Sequence, residues 1–436
     1  MRRLAAADIE AERMERTGRV VIVDPAYASD VGHHGDVNAR LLVALGARGW
    51  PVECWADAAV PAAGCRGVFR DCGYVDPRHW ADLGGTVHLA RRMENQLRTA
   101  LAEQGPVGGW VLHTALPFQL LGLARALCHC PAAAVVVSLM FAPGETLEGP
   151  GGEADATSNC RVALGALARA VAQGGHRLRL LLPSQQSLEL YAPLLAAAGL
   201  SCAGLHPAVV GAGRPVPPPP AAGGRPRILL HWGDLKPGKG RQEALEVVQA
   251  LLGGVPRPAA LAEAEWVFHL HSQEPLPEAE RTSLERARER ISGFQWLSGR
   301  VEAGAMQGLL AGCDAALLAY DPTLYRQRSS GLLWCYGAAR LLSGRPAAVL
   351  GRAGGWMERE ARDLGLSWRS GNDGGWLEGL AACLDQAPGR NPGEPTGVTT
   401  YGRQILAREF ADAVAAWMES ETPPGPPARP GPELPS

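Results

Sequence analysis

The sequence predicts an α/β protein of two domains, each with a parallel sheet flanked by helices. Short apolar segments alternate with segments of helical apolar spacing along most of the chain. A proline- and glycine-rich stretch at 211–226 interrupts this alternation, which then restarts. A chain of 436 residues with 46% hydrophobic content is also long enough for two cores. Strands joined through helices run parallel, so both halves predict Rossmann-like sheets.

The individual elements follow from local periodicity. In the first half the predicted strands lie at 20–24, 52–56, 109–113, 133–139 and 179–183, with helices at about 36–48, 120–127 and 161–172. In the second half the predicted strands lie at 228–232, 266–271, 294–297, 315–319 and 347–350. The helices between them are predicted up to residue 252 and at 278–291, 303–311, 332–342 and 357–364.

These elements predict a division of the whole chain. The predicted parts are an N-terminal extension (1–18), a Rossmann-like domain (19–210), a Pro/Gly linker (211–226), a second Rossmann-like domain (227–395), a C-terminal helix (396–421) and a disordered tail (422–436). Ligands of open α/β sheets bind outside the carboxyl ends of the strands. Two such domains therefore predict a cleft between facing sheet edges.

Composition excludes several classes of function. The net charge of −2 arises from 42 basic and 44 acidic residues without long runs, so no nucleic-acid surface is predicted. Acidic residues near the start exclude a signal peptide, and no apolar stretch is long enough to span a membrane, which leaves room only for peripheral membrane contact. Ten cysteines without a CxxC pair predict reduced thiols and a cytoplasmic protein. The Cys128-His129-Cys130 run predicts helix packing rather than a metal cluster.

A glycine-rich turn with lysines follows the first strand of the second half. Gly233, Gly238 and Gly240 surround Lys236 and Lys239, and a helical apolar spacing follows. Backbone N–H groups at a helix start, together with an ammonium group, suit an anion such as phosphate. The spacing also matches a P-loop, but the residue after the lysine is glycine and offers no hydroxyl for Mg²⁺. A solvated lysine turn is the plainer alternative.

A second anion-binding pattern precedes the helix predicted at 332–342. Arg326 and Arg328 stand just before Ser330 and Gly331. Two guanidinium groups and a serine hydroxyl are therefore expected next to the N-terminus of a helix, where backbone N–H groups also favour an anion. A serine-capped helix with surface arginines would explain the same residues. Two such patterns in one half, each between strand and helix, favour the functional interpretation.

The second half resembles the donor-binding domain of bacterial family-4-type glycosyltransferases, which have the GT-B fold. GDLKPGKG is similar to the lysine-glycine turn of that family, LSGRVEAGAMQGLLAGCDAALLAYDP to its Gly-Arg-Val segment, and YRQRSSGLLWCYGAARLLSGRPAAVLGRAGGWM to its Ser-Gly helix and the strand after it. The first half is more loosely similar through GHHGDVNARLLVALGARGWPVECW.

The resemblance implies how a nucleotide-sugar would be held. Lys239, Ser330 and Gly331 match positions that hold the donor diphosphate. Two positions differ, because Asp234 replaces the turn arginine and Cys335 replaces the glutamate that binds ribose. Lys236, Arg326 and Arg328 are expected to supply the missing positive charge, and Gln327 and Cys335 lie where the donor nucleoside and sugar would be contacted.

Histidines mark the expected acceptor side in the first half. The loop Gly32-His33-His34 follows the first strand, and His113 ends a later strand at a position where the family often has histidine. Asn38 and Arg40 are weaker candidates. Solvated or hydrogen-bonded histidines would explain these residues equally well.

The sequence therefore predicts a glycosyltransferase that moves a sugar from a nucleotide-sugar donor to a glycan, lipid-linked or protein acceptor, in bacterial glycan synthesis. By resemblance the reaction is retaining and independent of metal or other cofactors. Lys239, Arg328 and His113 are the expected catalytic residues. The alternative is a degenerate GT-B module that binds a nucleotide-sugar or a partner protein without turnover. A P-loop NTPase is the third hypothesis.

Overall fold

The computed structural model describes residues 18–29, 33–60, 64–144, 152–210, 224–233, 238–270, 275–343, 347–371, 375–385 and 409–421. Almost all of the predicted N-terminal extension and linker, the predicted tail, residues 396–408 of the predicted C-terminal helix, and Gly32, Asp234 and Lys236 lie outside these residues.

The chain forms two compact units. The first is built from the chain up to Pro183, from Leu190–Gly204 and from the segment that begins at Ala411. The second contains Ser184–Glu189 and Leu205–Phe410. The chain therefore leaves the first unit, builds the second, and returns to the first.

The first unit is a seven-stranded parallel sheet with helices between the strands. Its elements are β1 (Arg19–Asp24), α1 (His34–Ala47), β2 (Val52–Asp57), β3 (Cys65–Phe69), α2 (Leu83–Gln104), β4 (Val107–Leu112), α3 (Pro117–Leu127), β5 (Ala134–Ser138), α4 (Gly152–Gly174), β6 (Arg177–Leu182), α5 (Gln185–Ala198), whose first turn is assigned to the second unit, and β7 (Gly204–Leu205). The strand order is β3-β2-β1-β4-β5-β6-β7. Buried runs such as Val20–Val23 are apolar throughout because helices cover both faces of the sheet.

The second unit repeats the architecture with six parallel strands. Its elements are β8 (Arg227–Gly233), α6 (Arg241–Leu252), β9 (Glu265–Leu270), α7 (Glu278–Arg290), β10 (Phe294–Ser298), α8 (Ala303–Gly312), β11 (Ala315–Leu317), α9 (Gly331–Ser343), β12 (Ala348–Gly351), α10 (Trp356–Asp363), β13 (Ser367–Ser370) and α11 (Trp376–Asp385). The strand order is β10-β9-β8-β11-β12-β13. The last helix, α12 (Phe410–Glu421), belongs almost entirely to the first unit.

Both sheets reverse their strand order next to their first strand. β1 lies between β2 and β4, and β8 lies between β9 and β11, all in parallel register. Helices diverge at such a reversal and leave a crevice at the carboxyl ends of the two strands, where open α/β sheets bind ligands. The residues after β1, β4, β8 and β11 are therefore the first places to search for function.

Periodicity predicted every strand of the second sheet except β13, and every strand of the first except β3 and the two-residue β7. The helices α5 and α11 were also missed, as was the long helix α2. Its sequence opens with Leu-Gly-Gly, and its start is fixed by the Asp82 side chain, which accepts a hydrogen bond from the Gly85 N–H at 2.6 Å. No helix in the described ranges is long and apolar enough to cross a membrane.

Candidate functional site

The glycine turn after β8 holds Lys239 against the end of the strand. Gly233 has φ +82°, and a Cβ atom built there would lie 2.9 Å from Cδ of Lys239. The lysine stem thus passes over Gly233, where a larger residue would be strained by the positive φ and would displace the lysine side chain. Gly238 and Gly240 also have positive φ, of +76° and +78°.

The turn is joined directly to the segment that follows β11. The Asp321 N–H donates to the carbonyl of Gly238 at 2.8 Å, and the α-carbon face of Gly240 packs on the backbone of Ala319, which would lie 3.3 Å from a Cβ. The glycine turn therefore lies against the segment between β11 and α9, next to the strand-order reversal of the second sheet.

We predict that Gly240→Ala lowers the stability of the second unit by about 1–2 kcal/mol, because alanine is strained at positive φ and its methyl group meets the Ala319 backbone. Thermal unfolding of the two proteins measures the difference. Gly46→Ala is the matched control, since Gly46 is exposed in the last turn of α1 with open space around it. Equal midpoints for Gly240→Ala and the parent would contradict the prediction.

The start of α9 is organised by two serines. The hydroxyl of buried Ser330 accepts from the Leu333 N–H at 3.4 Å and donates to the Tyr320 hydroxyl at 3.2 Å. Ser329 instead donates to Glu360, a fully buried carboxylate that also accepts from Nε1 of Trp356 at 2.8 Å. The hydroxyl proton of Ser329 is thus committed to Glu360, and the Leu333 N–H is committed to Ser330.

The remaining predicted donor residues lie around this helix start. Arg326 is exposed, whereas Arg328 is half-buried with its guanidinium 6.0 Å from the centre of the Tyr325 ring. Gln327 is half-buried between them. Cys335 lies one turn into α9, where its thiol faces the carbonyl of Val209 at 3.9 Å. A thiol in that contact cannot accept two hydroxyl protons as a carboxylate would.

A cavity of about 1050 Å³ touches the other side of the glycine turn. Gly238, Gly240 and Arg241 line it, but Lys239, Ser330 and Gly331 do not. Its charged lining is mainly acidic, and the two arginines are already paired, Arg241 with Glu280 and Arg352 with Glu243. An anionic diphosphate would be repelled there, so we place the candidate phosphate site on the Lys239 side.

In the first unit, the histidines form a buried network at the ends of β1 and β4. Asp24, at the last position of β1, accepts hydrogen bonds from Nδ1 of His34 at 2.9 Å and from the Asn38 amide at 2.7 Å. Nε2 of His113 lies 3.2 Å from Asp24 and 2.9 Å from Oδ1 of Asn38. Tyr74 completes the network, with its hydroxyl 2.6 Å from Nε2 of His34.

Burial and charge act in opposite directions on these groups. Burial alone would raise the pKa of Asp24, but the charges and hydrogen bonds of His34 and His113 hold that pKa well below its usual value. Burial lowers the pKa of His113, which the nearby Asp24 only partly offsets. Burial, together with the charges of His34 and His113, also lowers the pKa of His33, whose ring stacks on His34 at 4.4 Å between centroids.

The ligand atoms of Asp24, His34 and His113 lie within 4.8 Å of one another, which is close enough to surround a metal ion. In the structure these atoms satisfy one another and Asn38 through hydrogen bonds. The network is therefore complete as a hydrogen-bonded cluster.

Solved structures of glycosyltransferases share this fold. The trehalose-6-phosphate synthase OtsA is 12% identical, with 93% of this chain and 98% of that chain covered and a TM-score of 0.56. The Burkholderia xenovorans alpha,alpha-trehalose-phosphate synthase (UDP-forming) in complex with glucose-6-phosphate is 12% identical, covers 92% and 98%, and has a TM-score of 0.54. An E. coli trehalose-6-phosphate structure bound with UDP-2-fluoro glucose is 12% identical, covers 92% and 97%, and has a TM-score of 0.52.

No protein-family model and no curated protein sequence matches the chain. At 12% identity, structural likeness establishes the fold and not the activity. The chain has the α/β fold of GT-B glycosyltransferases with two Rossmann-like sheets, and the predicted fold class is confirmed.

Several residues of both sites were not predicted from the sequence. The sequence identifies Asp24 only as the last residue of a predicted strand. Tyr74 lies in a segment without regular structure. Glu360 belongs to a predicted helix but carries no motif. His231 and His269 lie near the ends of neighbouring strands and contact each other through Nδ1 atoms 3.2 Å apart, beside Gly233. One signal was available for this last pair, since each histidine stands near the end of an apolar strand at a predicted ligand-binding edge.

Proposed function

We propose that this protein is a glycosyltransferase whose second unit binds the diphosphate of a nucleotide-sugar and whose first unit binds the acceptor. Lys239 and the start of α9, with Lys236, Arg326 and Arg328, would hold the leaving diphosphate. Fixed positive charge would then stabilise the negative charge that develops there. Retention of configuration and independence of metal ions follow from the family resemblance and belong to the same proposal.

One observation carries the proposal. Lys236 and Lys239 are the only two lysines in the 436-residue sequence, in which all other basic side chains apart from histidine are arginines. A lysine offers a compact, rotatable ammonium on a flexible stem, whereas arginine is a planar fork. A chain that otherwise uses arginine thus places its only two lysine side chains in the glycine turn, whose Gly238 carbonyl accepts a hydrogen bond from the N–H of Asp321 in the segment that leads to Ser330 and Gly331.

The structural neighbours suggest the first ligands to test. The E. coli structure is bound with UDP-2-fluoro glucose, and the B. xenovorans synthase is in complex with glucose-6-phosphate. UDP-glucose is therefore the first donor probe, with GDP-glucose and ADP-glucose as alternatives. Glucose-6-phosphate is the first acceptor probe.

The two lysines permit a direct binding experiment. We expect UDP-glucose or one of the other nucleotide-sugars to protect Lys236 and Lys239 from an amine-acylating reagent, as measured by peptide mass spectrometry. The same nucleotide-sugar should raise the thermal unfolding midpoint, since a ligand that binds only the folded state stabilises it. Lys239→Arg keeps the positive charge at this position and serves as the control for Lys239→Met, which removes the charge.

Protection by ATP with Mg²⁺, but by none of the nucleotide-sugars, would contradict the proposal and favour an NTPase. Equal acylation with and without every nucleotide tested would exclude a phosphate site at this turn. Glucose without a nucleotide is the negative control in both the acylation experiment and the thermal unfolding experiment.

The second candidate is a GT-B module that binds a nucleotide-sugar or a partner protein without turnover. Cys335 favours it, because its thiol faces a backbone carbonyl at the place where a ribose-binding carboxylate is expected. The two candidates differ in one measurement. Protection of Lys239 together with transfer or release of the sugar indicates the enzyme, and protection without any release of nucleoside diphosphate indicates the module.

A further inference from the structure

Cys54 and Cys65 lie directly opposite each other on neighbouring strands of the first sheet. They are Cα partners in the parallel register of β2 and β3. Paired side chains project from the same face of a sheet, and neighbouring strands lie about 4.8 Å apart. A disulfide requires Cα atoms about 4.4–6.8 Å apart, so the backbone places these two cysteines within bonding range. Both cysteines are reduced in the structure.

The two thiols also contact each other, and they differ in accessibility. A hydrogen bond with the Cys65 thiol, then burial, then the negative charges of an ionised Cys65 and of Asp24 raise the pKa of the Cys54 thiol. Cys54 is fully buried, whereas Cys65 is half-buried on β3, the edge strand of the sheet. Cys54 therefore keeps its proton, and a reagent from solution reaches Cys65 first.

The backbone before Cys65 has room to adjust. The hydrogen bond that the Cys54 N–H donates to the Gly64 carbonyl measures 3.4 Å, beyond the usual range of about 2.7–3.2 Å. Gly64 has φ +80°, and a Cβ built there would lie 3.8 Å from the Leu42 side chain, which is ordinary contact. Because β3 is paired on one side only, its start can shift toward β2 without breaking a second ladder.

We propose that Cys54 and Cys65 form a reversible disulfide when the protein meets a hydroperoxide. Cys65 is the thiol that the oxidant attacks, and Cys54 is the thiol that completes the bond. A disulfide with one half-buried sulfur is open to reduction by a small thiol, which suits a redox-sensing pair in a reducing compartment. This modification site does not depend on the proposed glycosyltransferase function.

The oxidation takes place in two balanced steps. The Cys65 thiolate attacks one oxygen of the hydroperoxide, the O–O bond breaks, and the other oxygen leaves with the electron pair and takes up the proton that Cys65 has lost. Cys65 is thereby oxidised to a sulfenic acid, and the hydroperoxide is reduced to water or an alcohol. The Cys54 sulfur then attacks the Cys65 sulfur. The S–S bond forms, the S–O bond breaks, and the hydroxyl group leaves as water with the proton of Cys54.

The new bond would fasten the start of an edge strand whose end is already held. β3 runs from Cys65 to Phe69, and shortly after it the Cys72 carbonyl accepts a hydrogen bond from the Gln119 amide at 2.8 Å. A link from Cys65 to Cys54 would tie the other end of the strand to β2. Since a disulfide also restricts the unfolded chain, we expect oxidation to stabilise the first unit.

Peptide mass spectrometry tests the bond directly, because both cysteines lie in one tryptic peptide, residues 49–66. The full chain is treated with hydrogen peroxide under native conditions, the peroxide is removed with catalase, and the protein is alkylated with iodoacetamide in urea. The peptide should then carry no added group and be two hydrogen atoms lighter than its reduced form. Dithiothreitol before alkylation should restore two alkylated cysteines.

Cys128→Ser is the matched control, since it removes an exposed thiol and should leave the disulfide unchanged. Two alkylated cysteines in the peptide after peroxide would overturn the proposal. A disulfide that joins Cys65 to Cys72 or to Cys128 would also overturn it.

Two variants test the order of the steps. Cys54→Ala leaves Cys65 without its partner, so the Cys65 sulfenic acid should accumulate and be trapped by dimedone. Cys65→Ser should leave Cys54 unmodified by dimedone and available to iodoacetamide after unfolding. Dimedone on Cys54 in Cys65→Ser, with none on Cys65 in Cys54→Ala, would overturn the assignment of Cys65 as the attacked thiol.

Urea unfolding tests whether the bond fits the folded sheet. The peroxide-treated parent should unfold at a higher urea concentration than the reduced parent, and dithiothreitol should reverse the shift. Cys65→Ser should show no such shift after the same treatment. A lower midpoint for the oxidised parent would show that the bond forms at the expense of β2–β3 pairing, and the site proposed here would be wrong.

Discussion

Replacement of Asp24 by alanine is expected to lower the free energy of unfolding by about 3–5 kcal/mol, one of the largest effects in the molecule. The carboxylate is 1% exposed and accepts from His34 and Asn38, with His113 3.2 Å away. Its loss leaves buried donors without an acceptor, and each such group carries a desolvation cost of about 1–3 kcal/mol. Urea unfolding measures the difference.

Two variants control this measurement. Asp412→Ala removes an exposed aspartate from the first turn of α12 and should change stability by less than about 0.5 kcal/mol. Asp24→Asn keeps the shape and one acceptor oxygen, and should fall between the parent and Asp24→Ala. Equal stability of Asp24→Ala and Asp412→Ala would show that the network does not support the fold.

The same network predicts how stability depends on pH. Because the pKa of Asp24 is lowered in the folded protein, its contribution is present above about pH 4, where the unfolded carboxyl ionises, and is lost as the pH falls through the folded pKa. The pKa values of His33 and His113 are also lowered, so the unfolded chain binds more protons below about pH 6.5. Both effects reduce stability in acid, and Asp24→Asn should flatten the part below about pH 4, while the loss of its charge lowers the pKa values of His33 and His113 further.

If the protein transfers sugar as proposed, Lys239→Met is expected to reduce kcat/KM for that reaction by about 10²–10³-fold, the loss typical of removing one preorganised electrostatic contact. Methionine keeps most of the stem that packs over Gly233 and removes only the charge. Lys239→Arg keeps the charge on a planar, bulkier group and should recover part of the activity. Steady-state rates of nucleoside diphosphate release measure both variants.

The contrasting control lies on the far side of the glycine turn. Arg241→Met removes a cation that lines the acidic cavity and pairs with Glu280, and it should change kcat/KM by less than a factor of about 3. If Arg241→Met abolished transfer and Lys239→Met did not, the donor would bind in that cavity, and our placement of the phosphate site would be wrong.

Much of the fold was predictable because both sheets are parallel and covered on both faces. Strands such as β5, AVVVS, are apolar at nearly every position and stand out from their surroundings. β3, CRGVF, is an edge strand with a mostly exposed pattern, so periodicity could not separate it from a loop. The helix α2 was not predicted for a similar reason, because its apolar positions are separated by many charged and polar residues and its helical periodicity is weak.

The candidate sites were predictable only where local sequence determines chemistry. Lys239 lies in a turn whose glycines mark it, and Ser330 directly precedes a helix. Tyr74 meets His34 from a position 40 residues away in the chain, and no periodicity in either segment predicts the contact. The role of His113 likewise depends on Asn38, 75 residues away. Contacts between distant loops are set by the strand order, which sequence periodicity does not specify.

The path of the chain has a consequence for the order in which the protein is made. The first unit is completed by α12, whose Met418 is fully buried, with its sulfur 3.2 Å from where a Cβ on Gly109 would lie, and whose Glu419 pairs with Arg48. During synthesis the ribosome releases every strand of the second unit before it releases this helix. The first unit is therefore the last to acquire all its parts, and a nascent protein has every strand of its second unit while the part of the first unit that Met418 covers is still exposed.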